Sequence, residues 1–154
     1  MRRVRGVSGL MRMAWMAAAL IGIMILGAPA SASAQDYVLV VNADNPVTTL
    51  NKRDVAAIFL KQTTRWSDDK PVVPVDQAKG AKLRDVFMKA VVGKSAAAMD
   101  AYWQTQIFSG KNVPPMTRAK DADVLAVVRA NANAIGYVDA KTPLPQGVKV
   151  VTVK

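Results

Sequence analysis

Residues 37–60 read Tyr37-Val38-Leu39-Val40-Val41-Asn42-Ala43-Asp44-Asn45-Pro46-Val47-Thr48-Thr49-Leu50-Asn51-Lys52-Arg53-Asp54-Val55-Ala56-Ala57-Ile58-Phe59-Leu60. The opening apolar run, Val38 to Val41, is too short for a helix and too continuous for a half-exposed strand, so it predicts a strand buried on both faces of a sheet. Asn45-Pro46 turns the chain. Asn51 is then placed as a helix N-cap, Asp54 three residues on can reach back in a capping box, and Leu50 and Val55 are spaced for a hydrophobic staple. Val55, Ile58 and Phe59 form the buried stripe of that helix. A doubly buried strand feeding an amphipathic helix is the opening unit of an α/β fold.

Downstream, Thr63–Lys70 is polar, with Asp68-Asp69 as a turn signal, and Val72, Val73 and Val75 form a second strand that Pro74 assigns to a sheet edge or a strand end. From Gly80 the apolar period changes, and Leu83, Val86, Phe87, Ala90 and Val91 fall on one helix face up to Gly93. Ser95 caps a third helix, whose face is Met99, Tyr102, Trp103 and Ile107 and which closes at Ser109-Gly110. Asp121 opens and caps a fourth, with Val124, Val127 and Val128 inward. Strands at Ile135–Val138 and Val148–Val153 complete the chain. The expected architecture is α/β, a mixed sheet flanked by about four helices.

Working back toward the N-terminus, Arg2, Arg3, Arg5 and Arg12 precede an apolar run from Met13 to Ala28 that Pro29 ends. Charge, then apolar residues, then Ala32-Ser33-Ala34 is the order of a secretory signal, with cleavage after Ala34 and Ala30-Ser31-Ala32 as a second fit. An uncleaved anchor is the alternative, but the run falls short of the roughly 20 residues that span a bilayer. The expected organisation is therefore a signal peptide over 1–34 and one α/β domain over 35–154, soluble in the periplasm with no stable membrane insertion. The sequence contains no cysteine, which excludes disulfides, a thiolate metal site, a cysteine nucleophile and a lipoprotein anchor.

The formal net charge of +10 falls to about +6 without those four arginines. The remaining basic residues alternate with apolar and acidic ones, as on solvated helix faces, so no nucleic-acid partner is expected. Neither histidine nor glutamate occurs, which removes the commonest general base and the usual zinc and copper ligands. Asp68-Asp69 and Asp121-x-Asp123 read as a turn and a helix start rather than a calcium site. Lys94 with Ser95 and Lys111 with Ser109 are sequence neighbours at helix ends, not a serine–lysine active site. The chain is expected to be no enzyme and to need no cofactor. Trp103 is expected in the core, and Trp66 in the core or, beside Arg65, on a contact surface.

Four segments together resemble one family. The strand ending Asn42-x-x-Asn45-Pro46, the helix ending Ile58-Phe59, the loop Thr64-Arg65-Trp66 with Asp68, and Ala134-Ile135-Gly136-Tyr137-Val138 are similar to the second half of the phosphate-binding proteins of ABC transporters. These are type II periplasmic binding proteins with two lobes that close on an anion. The resemblance implies a short, single-lobe form of that fold, phosphate or another inorganic oxyanion as ligand, and an ABC permease or other periplasmic protein as partner. It also implies where the anion sits, at Lys79, Gly80, Ala81 and Lys82, where free N–H groups of a starting helix and nearby cations converge. That family's loop reads approximately Arg-x-Asp-x-Ser-Gly-Thr, whereas here Val75, Lys79 and Ala81 replace Arg, Ser and Thr and only Gly80 is kept. Asp76 is expected either to repel a dianion or to cap the helix itself. The loss of donors leaves a weak or vestigial anion site as one expectation, and a ligand-free envelope module acting through a protein partner as the other.

Overall fold

The computed structural model describes residues 36–154, so the expected signal peptide and its cleavage site lie outside the described residues. Six strands form one mixed sheet in the order β2-β6-β1-β5-β3-β4. They are β1 (Tyr37–Asn42), β2 (Thr49–Leu50), β3 (Val73–Gln77), β4 (Met116–Arg118), β5 (Ala134–Asp139) and β6 (Val148–Val153). The helices are α1 (Lys52–Phe59), α2 (Lys82–Phe87), which runs on as a π-helical segment Met88–Val92, α3 (Ala96–Phe108) and α4 (Asp121–Ala130). The apolar run read as a doubly buried strand is β1, paired antiparallel with β5 and with β6 near the middle of the sheet.

Strand alternation sorts the core into two layers. Tyr37, Leu39 and Val41 of β1 with Ile135 and Tyr137 of β5 face the larger layer, which α1, α2 and α3 cover with Phe59, Phe87, Met88, Met99 and Trp103. Val40, Val75, Ala134 and Val138 face the other side, where α4 lays down Val124, Leu125 and Val128. Chirality explains why the helices divide this way. β3, β4 and β5 are mutually parallel, and the crossover from β3 out to β4 runs in the opposite sense to the return from β4 past β3 to β5. Right-handed crossovers in opposite senses place their helices on opposite faces.

Several local expectations change. β3 is an interior strand, yet Pro74 is tolerated because β4 pairs only from Val75 to Gln77, so the missing N–H lies on the side β4 does not reach. Asn51 is the N-cap residue of α1, but its side chain makes no cap bond and instead its Nδ2 donates to Asp54 Oδ2 at 3.1 Å. Ser95 does cap α3, accepting from the Ala98 N–H at 3.3 Å. The buried stripe of the second helix is Arg84, Phe87, Met88 and Val91, one position away from the expected register, with Leu83, Val86 and Ala90 half-buried beside it. Ile107 is 51 % exposed rather than inward. In α4 the third inward residue is Leu125, not Val127, and the cap position belongs to Lys120. Asp121, one residue inside, accepts from Gln77 Nε2, the Asp139 N–H and Thr142 Oγ1, which ties the start of α4 to β3 and to the end of β5.

The Asn-x-x-Asn-Pro motif acts structurally. Asn42 Nδ2 donates to the Val128 and Arg129 carbonyls, and Asn45 Nδ2 donates to that of Ala132. The two Asn42 bonds satisfy orphan acceptors in the last turn of α4, and the Asn45 bond holds the segment that follows it. Trp66 is buried and donates through Nε1 to the Asn133 carbonyl at 3.1 Å, so it belongs to the core.

Candidate anion site

The chain leaves β3 at Gln77 and reaches α2 through Ala78-Lys79-Gly80-Ala81, a turn that needs glycine because Gly80 has φ +83°. The turn therefore does adjoin a helix start, as expected. Lys79, Gly80 and Lys82 are exposed and Ala81 is half-buried. Their side chains do not converge. Lys79 lines a cavity of about 170 Å³ with Arg84, Asp76 and Asp100, between the turn, α2 and α3. Lys82 lines a different one, of about 360 Å³, together with Asp36 and Asp139.

Behind the turn lies a buried polar cluster. Asp76, on the aromatic face of β3, is 2 % exposed, and Arg84 on α2 is 3 % exposed. Arg84 Nε donates to Asp76 Oδ2 at 3.0 Å. The other oxygen, Oδ1, accepts from the Gln77 N–H at 2.8 Å and from the Tyr137 hydroxyl at 2.5 Å. Asp76 is thus neither a free repelling charge nor the cap of α2: its carboxylate is filled by a guanidinium, a phenol and an amide. Burial, reinforced by the adjacent Asp76 carboxylate, pushes the Tyr137 phenol far above the ordinary tyrosine range, so Tyr137 remains a donor at physiological pH. Its ring stacks on Phe87 with centroids 3.8 Å apart and planes 9° apart, which couples the polar cluster to the core.

Guanidinium has five N–H donors, and a carboxylate has no donor to offer in return. Among the described residues the bonds of Arg84 engage only its Nε. Arg84 itself lines the cavity, and among the described residues no bond to its Nη groups is formed. At the rim, Lys79 Nζ lies 2.9 Å from Asp100 Oδ1, an oxygen that is shut off from solvent yet makes no properly directed hydrogen bond. Sequence reading gives Arg84 only the part of a nearby cation that supplements the amides of the helix start, whereas the structure buries it. Its signal was spacing: 84, 87, 88 and 91 form an i, i+3, i+4, i+7 face, so an arginine stood on the core stripe and required an acid partner.

Residues 32–153 match the model of a family described as a PBP superfamily domain. The chain belongs to that family. Solved structures share the fold of this PBP domain. One is a protein named as a phosphate ABC transporter substrate-binding protein from Clostridium perfringens, solved with bound phosphate, at 24 % identity and a TM-score of 0.62, covering 77 % of this chain and 44 % of that one. Another is an ABC-type phosphate transport receptor from Vibrio cholerae, at 18 % identity and 0.53, covering 77 % and 46 %. A third is PstS from Borrelia burgdorferi, at 12 % and 0.58, covering 77 % and 47 %. No curated protein matches the chain. The PBP domain thus spans less than half the length of these structures, and at such identities the likeness concerns the fold. Its six-stranded mixed sheet with four helices is one lobe of a PBP-like fold. Among the described residues no helix is long and apolar enough to cross a membrane.

Proposed function

We propose that this chain is an exported, periplasmic, non-enzymatic binding domain for oxyanions of the phosphate class. The observation that carries the reading is Arg84, a buried guanidinium held by Asp76 through Nε alone, lining a cavity whose rim carries Lys79. Gly80 and Ala81 lead into α2 beside this cavity without lining it, the Ala81 N–H is already given to the Ala78 carbonyl at 3.1 Å, and Lys82 lines the neighbouring cavity, so the donors of the site are Arg84 and Lys79. A preorganised guanidinium suits an oxyanion because its planar fork presents parallel donors. The relative from Clostridium perfringens carries phosphate, which supports the ligand class. One lobe leaves part of the anion in water, so modest affinity is expected, and a permease of an ABC transporter is the partner class the family suggests. A thermal-shift series with phosphate, sulfate and molybdate tests this, because a ligand of the folded state raises the melting temperature. No shift at millimolar concentrations sinks it.

One observation favours a second reading, an envelope module that acts through a protein partner. Ile107, Phe108, Val113 and Met116, four large apolar side chains within ten residues, are all exposed, Phe108 by 89 %. A stoichiometric partner recovered from periplasm and lost on Phe108→Ser favours that role; a monomer recovered alone and stabilised by phosphate counts against it.

A further inference from the structure

We infer that the Arg84 cavity takes an organic anion, an oxyanion head such as a phosphate monoester carried on an apolar or aromatic body, in preference to a free inorganic oxyanion. The inference rests on the oxyanion reading above and narrows its ligand class.

The cavity is lined by two chemically different sets of residues. In one, Arg84 and Lys79 supply cationic donors, while Asp76, with both oxygens filled by Arg84, Tyr137 and the Gln77 amide, has little left to bind. In the other, Trp103 and Ile107 of α3 and Pro114 of the following loop supply an apolar wall, with Gln104 and Thr117 as its neutral polar neighbours. A cavity of about 170 Å³ holds several waters, more than a compact oxyanion displaces. An inorganic oxyanion at Arg84 leaves the apolar wall wetted, whereas a ring or short alkyl body dries it.

The charges lining the cavity balance, Lys79 and Arg84 against Asp76 and Asp100, so net charge favours neither ligand and the apolar contact decides between them. Ile107 then has a use: it is half-exposed on α3 at the mouth, where a ligand body lying against Trp103 would cover it. Lys82 plays no part, because it faces the neighbouring cavity with Asp36 and Asp139.

The test is calorimetric titration of the purified protein with phenyl phosphate and, separately, inorganic phosphate. Phenyl phosphate is expected to bind at least about tenfold more tightly, a margin that one buried apolar group can supply. Ile107→Ser, at a half-exposed site that should leave folding intact, should remove most of that margin while leaving inorganic phosphate unchanged. Arg84→Lys, which keeps a cation beside Asp76 but not the fork, should weaken both ligands. Equal affinities with a silent Ile107→Ser overturn this inference and leave the oxyanion reading standing. Failure of both ligands to bind overturns the two together. Phenyl phosphate binding that ignores Arg84→Lys reduces the effect to apolar adhesion and also overturns it.

Discussion

On the side of the sheet covered by α1, α2 and α3, rings of Tyr37, Phe59, Phe87 and Tyr137 pack edge-on and face-on, and the Tyr137 hydroxyl joins them to a buried carboxylate and guanidinium. On the side covered by α4 the packing is almost wholly valine, leucine and alanine, and the helix comes so close that Gly136 has no room for a side chain. The centre of the aliphatic side packs by shape, and its polar contacts lie at the two ends of α4, Asn42 and Asn45 beyond its last turn and Asp121 at its first. The aromatic side accepts the cost of burying ions, and a buried pair adds little net stability over an apolar replacement. What it retains in exchange is a buried guanidinium that lines a cavity. The layer with the weaker claim on stability is the one on which the proposed recognition rests.

Breaking the polar cluster should have the largest effect. Arg84→Ala strands the Asp76 carboxylate and is expected to lower unfolding free energy by about 3–5 kcal/mol in urea titration. Arg65→Ala, which removes an exposed pair with Asp69 whose side chains are 61 % and 89 % exposed, should change it by no more than about 0.5 kcal/mol. Near-equal losses would mean that burial does not set the value of these pairs.

The aliphatic side is probed by Gly136→Ala, whose new Cβ would lie 2.6 Å from Val124 Cγ1. Overpacking of this kind is expected to cost about 1–3 kcal/mol. Adding Val124→Ala should recover part of that loss, so the double variant should be more stable than the two single losses predict. Strict additivity would show that the contact does not control the site.

Tyr137→Phe keeps the ring stack and removes one donor to Asp76, with an expected loss of about 1–1.5 kcal/mol near neutral pH. The pH dependence has a definite sign. Because the folded phenol titrates far above its unfolded value of about 10, its contribution is fully present below that pH and is lost as pH rises beyond it. Wild-type stability should therefore fall more steeply than that of Tyr137→Phe in alkaline unfolding curves, and parallel curves would refute the assignment. The smallest effect is at the edge of the same layer, where Ser95→Ala removes the cap of α3 for about 0.5–1 kcal/mol, read from the melting temperature.

Much of this arrangement was legible before any coordinates. The run Val38–Val41 and the stripe Val55, Ile58, Phe59 carry their own period, so the central strand and first helix follow from spacing. β2 and β4, of two and three residues, are too short to leave a period, and both were missed. Ile107 was placed inward because periodicity cannot tell where a helix runs past its neighbours. The expected anion residues Lys79, Gly80, Ala81 and Lys82 were chosen by local chemistry, which identifies a turn and a helix start but not the direction in which each lysine reaches. The partnership of Asp76, Arg84 and Tyr137 joins two strands and a helix across up to 61 positions, and no local window contains it.

The anchoring of Arg84 to two strands rather than to the turn has a consequence for variation. Because the guanidinium takes its position from Asp76 and indirectly from Tyr137, the connecting residues 78–82 owe the cluster only their length and the left-handed bend at Gly80. That segment is free to exchange its other side chains and so to acquire new preferences at the cavity mouth, while the ionic anchor beneath it stays as it is.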